Sequence, residues 1–156
     1  MSKFDPNQVS FAEGAVRVER VLQKSRIKIG KVMTSKDKDA EMLRKMLPVS
    51  NIPKGFSKYQ LPFVLGPSQL FITQAEPGMK VGEHSHDEGD GIRFIAAGSI
   101  TYNGTVLEAG DWMFIPKGAR YSLEVGPRGA TMCYCYCCCC AGRADLAEFV
   151  SNPPLE

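Results

Sequence analysis

The chain predicts an all-β fold, a sandwich or barrel, and three observations predict it. Between about residues 60 and 140 the sequence is a series of short apolar runs broken by Gly, Pro, Asn and Asp, the punctuation of many short strands. Asn103-Gly104 lies between two such runs and is a strong two-residue hairpin signal. Gly78, Gly98, Gly110 and Gly118 stand at intervals that suit turns.

The strands follow in order. Gln69 to Gln74 reads as the first, then Gly91 to Ala96 and Ser99 to Tyr102. Thr105 to Leu107 returns after the Asn-Gly turn. Asp111 to Ile115 follows Gly110 and is closed by Pro116-Lys117-Gly118. Tyr121 to Val125 and Ala130 to Cys137 complete the set. The first 58 residues differ and form a partly helical extension. Ser35 is placed to cap a helix running through Lys45, with Met42, Leu43 and Met46 apolar and Pro48 beyond its end. Residues 8–24 fit either helix or strand, and Arg26 to Val32 alternates like a strand. Ala144 to Val150 suits a short helix ended by Asn152-Pro153-Pro154. The expected organisation is an extension over 1–58, a barrel over 59–142 and a tail over 143–156, with no internal repeat.

Composition narrows the function classes. With 156 residues, 44% hydrophobic and 23% charged, the chain reads as one globular domain. A net charge of +2 is too small to argue for nucleic acid or an anionic membrane surface. No apolar run approaches the length of a membrane span, and the N-terminus lacks the apolar stretch of a signal peptide. The expectation is a cytoplasmic protein with reduced thiols. All six cysteines fall between Cys133 and Cys140, so they cannot tie distant segments into a disulfide framework.

The chain has two histidines, His84 and His86. In a strand, residues i and i+2 project to the same face, so both imidazoles should point at one spot, as a metal centre needs. A three-histidine site is excluded within one chain. Further ligands must come from carboxylate, tyrosine, cysteine, water or a second subunit.

These residues resemble the cupin superfamily. Its first motif runs Gly, five residues, His-x-His, three or four residues, Glu, six residues, Gly; here Gly78, His84-Ser85-His86 and Gly98 keep the register. Its second motif runs Gly, five residues, Pro-x-Gly, two residues, His; here Gly110, Pro116 and Gly118 match. The resemblance covers roughly residues 60–140. It implies a jelly-roll-type double-stranded β-helix barrel, a homodimer, and an interior metal acting on a small-molecule substrate. Two ligand positions depart from the pattern: Gly91 stands where glutamate is expected and Tyr121 where histidine is expected.

Asp90, Tyr121 or a cysteine of the last strand is the expected replacement ligand beside His84 and His86, with Glu88 a further neighbour. Iron(II) is the expected metal, since histidine pairs with open positions suit iron and oxygen; zinc, nickel, manganese and copper are the alternatives. Arg93 stands two residues after position 91 and shares its face, where a buried guanidinium requires a carboxylate partner or a substrate anion. Cys133, Cys135 and Cys137 alternate with Tyr134 and Tyr136. They read as wall residues, as cavity thiols, or as a thiolate cluster. On a flat strand i,i+2 sulfurs lie roughly 7 Å apart, too far to share one ion. At least one of the three is expected beside His84 and His86. Tyr121, Arg93 and Cys135 are the catalytic candidates.

The leading expectation is a small cupin-type metalloenzyme acting on a small polar molecule, with a non-heme iron dioxygenase favoured. A small-molecule sensor with weak or no metal is one alternative. A cysteine-rich copper or zinc protein is the other.

Overall fold

The computed structural model describes residues 10–50, 52–66, 68–87 and 89–136. Glu88, Cys137 to Cys140 and the helix expected at 144–150 lie outside the described residues.

The ambiguous segment before residue 25 is a helix, α1 (Phe11–Ser25). Ser10 Oγ accepts the Glu13 N–H at 3.3 Å, and the Glu13 carboxylate accepts the Ser10 N–H at 2.7 Å. This reciprocal capping box satisfies two otherwise orphaned donors. Arg26, at φ 59°, ends the helix in the left-handed region.

The strand expected over Arg26 to Val32 does not form; only β1 (Met33–Thr34) pairs, and it pairs with β6 (Trp112–Ile115). The alternation has a different cause. Ile27 and Ile29 pack toward Trp112 and Phe114, while Lys28, Gly30 and Lys31 face solvent. A second helix, α2 (Lys38–Met46), starts after Asp37 rather than at Ser35. Ser35 is engaged elsewhere: its hydroxyl donates to Asp111 Oδ1 at 2.8 Å and accepts the Trp112 N–H at 3.1 Å.

The remaining strands are β2 (Gln69–Ala75), β3 (Lys80–His84), β4 (Gly91–Tyr102), β5 (Thr105–Glu108) and β7 (Tyr121–Tyr136). Two pairs of expected strands are each one long strand, β4 and β7. These two pair along most of their length and carry both layers of the structure. One layer is β2, the end of β7, the start of β4, β6 and β1. The other is β3, the start of β7, the end of β4, and β5. The hairpin between β4 and β5 turns at Asn103 (φ 45°) and Gly104 (φ 75°), the paired positive angles of a type I′ turn.

Where the layers meet, the register slips. Gly98 pairs with Ala130, but Ile100 pairs with Val125. A side chain at Gly98 would lie 2.0 Å from the Gly129 carbonyl oxygen, so only glycine permits this crossing. Between the layers lies one apolar core that includes Ile95, Ile100, Leu107, Met113, Ile115, Leu123, Val125 and Met132.

A second cluster lies outside the sheet. Ala40 and Leu43 of α2 pack with Trp112 and Phe114, flanked by Val21, Leu22, Phe63 and Ile92. Trp112 and Phe114 therefore face the extension. The two-layered antiparallel arrangement, with the helices among the described residues confined to the extension, is a cupin-type double-stranded β-helix fold. Among the described residues, no helix is long and apolar enough to cross a membrane.

Candidate functional site

The two motif halves meet at one end of the fold. The Pro116–Gly118 turn holds the loop after β3 by two bonds. The Gly118 N–H donates to the His86 carbonyl at 2.8 Å, and the Lys117 N–H donates to Asp90 Oδ1 at 2.8 Å. The second motif thus positions the first through backbone amides.

His84 is the last residue of β3 and sits opposite Tyr121 of β7. His86 lies beyond the strand. Strand alternation is therefore not what unites the imidazoles; the clipped loop turns His86 back. Their ring centroids are 5.1 Å apart and nearly perpendicular, and the Tyr121 ring lies 4.4 Å from that of His84. His84 Nδ1 donates to the Gly82 carbonyl at 2.8 Å, so in the neutral ring the lone pair is on Nε2.

His86 Nε2 lies 3.0 Å from the Tyr121 hydroxyl and 3.2 Å from the Tyr134 hydroxyl. Behind them, Arg93 Nη2 donates to the Tyr121 oxygen at 3.3 Å, and Nη1 reaches Met132 Sδ at 3.6 Å. The Arg93 guanidinium carbon stands 4.0 Å over the Tyr134 ring, a cation–π contact. Arg93 is 9% exposed, and its Nε is buried without a partner. His84, His86 and Tyr134 are half-buried, so the cluster is reached from solvent on their side.

The residues singled out in the sequence divide into two sets. His84, His86, Tyr121 and Arg93 come together. Arg93 faces inward, but none of the ion pairs among the described residues involves it. Asp90 does not join the histidines: its carboxylate fastens the loop through Lys117 N–H. Among the described residues, no three of His, Cys, Asp and Glu gather into a metal-holding group.

The expectation that a thiol faces the histidines is corrected for Cys133 and Cys135. They lie on the other face of β7, where Cys135 Sγ donates to Ser68 Oγ at 3.2 Å, and Cys137 is outside the described residues. The residue that faces His86 is Tyr134, which sequence reasoning assigned to the opposite face. Its strict alternation with the cysteines was visible, but the direction of that alternation was not.

The donor set bears on a metal. Two imidazoles are at hand, and the His84 geometry suits a ligand. His86 Nε2 is taken up by two hydroxyls, and the adjacent guanidinium repels a cation. Two imidazoles thus stand together among the described residues, and no third His, Cys, Asp or Glu gathers with them.

Searches of solved structures return cupin and double-stranded β-helix proteins. One, a conserved protein with a double-stranded β-helix domain from Klebsiella pneumoniae, is 25% identical, with 46% of this chain and 67% of that chain covered and a TM-score of 0.41. An RmlC-like cupin from Shewanella frigidimarina is 19% identical, with 59% and 84% covered and a TM-score of 0.40. A protein with a cupin-like fold from Ralstonia eutropha is 17% identical, with 46% and 47% covered and a TM-score of 0.40, so this chain spans about half of its length. No protein-family model matches the chain, and no curated protein matches it. Motif spacing and sheet topology together give the chain a cupin-type double-stranded β-helix fold.

Proposed function

We propose that this protein binds a small polar molecule at the cluster of His84, His86, Tyr121 and Tyr134, with Arg93 behind it. The observation that carries this reading is the continuous polar chain from Arg93 through Tyr121 to His86 and Tyr134. A buried polar network holds its side chains in fixed positions, and this one reaches half-buried side chains that a ligand in solvent can meet. The test is a titration of the full chain with small polar compounds, followed by NMR of the histidine ring signals. Binding compounds should shift both rings, and the shifts should be lost in a His86→Ala, Tyr134→Phe double variant. Rings indifferent to every compound would overturn the reading.

A second reading is favoured by one observation, the His84 Nδ1 bond to the Gly82 carbonyl, which in the neutral ring places the lone pair on Nε2. On that reading His84 and His86 hold a divalent metal, iron(II) foremost, and the protein is a metal-dependent cupin such as a dioxygenase. Elemental analysis of anaerobically purified protein tests it. Stoichiometric metal in the wild type, lost when both histidines become alanine, would establish it. Equal metal content in the two proteins would dismiss it.

A further inference from the structure

We infer that the molecule bound at this site carries a carboxylate, and that Arg93 is the group that receives it. This rests on the small-molecule reading above and names the ligand's chemical class.

The argument starts from charge. A guanidinium has five N–H donors and remains protonated throughout the working pH range. Arg93 is 9% exposed, and none of the described ion pairs supplies it with a carboxylate. Its contacts are weak acceptors: a phenol oxygen at 3.3 Å, a thioether sulfur at 3.6 Å and an aromatic face at 4.0 Å. None of these carries a formal charge, and a buried cation without an anion is costly.

Geometry narrows the class. The Arg93 Nε is buried and unpartnered, while Nη2 meets the Tyr121 hydroxyl. Nε–H and one Nη–H form the side edge of a guanidinium, whose two parallel donors match the two oxygens of a carboxylate. An oxygen placed there would lie beside the Tyr121 hydroxyl, and from it the polar chain continues to His86 and Tyr134. One guanidinium matches one negative charge. A monocarboxylate therefore fits better than a phosphate dianion, which requires more than one cation. The two phenols and two imidazoles are left to contact polar groups on the rest of the molecule.

The experiment is a thermal-shift and NMR titration of the full chain with acetate, lactate and benzoate, each against its amide and with inorganic phosphate in parallel. The expected result is that a carboxylate raises Tm and shifts the Arg93 Nε–H signal, while its amide and phosphate do neither. Arg93→Lys should weaken binding, because a point charge cannot make the paired contact. Arg93→Met should weaken it on the order of a hundredfold. If the methionine variant does not fold, the Nε–H shift in the wild type decides alone. Amides that bind as tightly as acids, with the histidine rings responding, would overturn the carboxylate assignment and leave the small-molecule site standing. Phosphate binding in preference to the acids would overturn it as well. Silence of both Arg93 and the histidines toward all probes would overturn this inference together with the reading beneath it.

Discussion

Strands β6 and β7 are both walls of the same fold, yet they are built differently. All four residues of β6 are buried. Met113 and Ile115 point into the interlayer core, and Trp112 and Phe114 lie under the extension. Phe63 completes that outer layer, stacked on Phe114 at 4.3 Å and edge-on to Trp112 at 5.3 Å. Strand β7 has one covered face. Its inner side is apolar in the middle, at Leu123, Val125 and Met132, and carries Tyr121 and Tyr134 of the polar cluster toward its two ends. Its outer side leaves Cys133 and Cys135 only half-buried, next to Leu70 at 66% and Ile72 at 68% exposure on β2. The difference teaches that apolar burial on two faces and the polar cluster are assigned to separate walls. Apolar burial on both faces anchors β6, whereas β7 holds the polar groups that a purely apolar interior would exclude.

The comparison is broken most directly at Leu43, which is 0% exposed in the layer over β6. Leu43→Ala should cost about 2–5 kcal/mol, by lost transfer energy plus a cavity. Urea unfolding checks this, and the histidine ring signals of the folded fraction should stay in place. A negligible loss would mean that the extension is not a structural wall.

On β7, Tyr121→Phe removes the oxygen shared by Arg93 and His86. Leaving those groups short of a partner should cost about 1–3 kcal/mol by the same assay. Tyr134→Phe should cost less, since the ring under Arg93 is retained. Equal costs for the two would show that the phenol hydroxyls are interchangeable.

Asp111 tests the join between extension and barrel. Burial raises its pKa, but the Glu108 N–H, the Ser35 hydroxyl and Lys36 outweigh burial and hold it below the ordinary value. A folded-state pKa below the unfolded one gives stability that is present above the unfolded value and lost as pH falls through the folded one. Asp111→Asn should therefore flatten the acid limb of stability against pH. The partly exposed Lys36 partner keeps the effect below about 1 kcal/mol. An unchanged acid limb would remove Asp111 from the account.

The smallest effect belongs to the outer face of β7. Replacing Cys133 and Cys135 with serine should change stability by no more than about 0.5 kcal/mol. In the wild type, alkylation of these two thiols, read by mass spectrometry, should proceed at one rate with and without a ligand at the histidines. Protection by ligand would place a thiol in the site after all.

Much of this was legible in the chain. The hairpin at Asn103-Gly104 was readable because its turn type demands those residues. The two-residue step from position 91 tied Arg93 to that residue's face, but a register shift would have placed both outside; the structure buries Arg93. The helix over residues 11–25 was not readable, since its apolar residues fit two periodicities, and the Ser10–Glu13 capping box settles it. The role of Asp90 was hidden because its partner is a backbone N–H 27 residues away.

The sequence by itself determined the strand-rich centre and the alternation of tyrosine with cysteine along the last strand, whereas the meeting of the His84 and His86 rings depends on the loop held by the Pro116–Gly118 turn. The tertiary structure decided which of those alternating residues faces the site. From Val125 to Ala130, both inward-facing, β7 advances five residues, whereas β4 advances two from Gly98 to Ile100. An odd step reverses the alternation, so Tyr134 turns in and Cys133 and Cys135 turn out. Local periodicity fixes only relative phase. Absolute phase is set where β4 and β7 cross, at a glycine-to-glycine approach that only the partner strand defines.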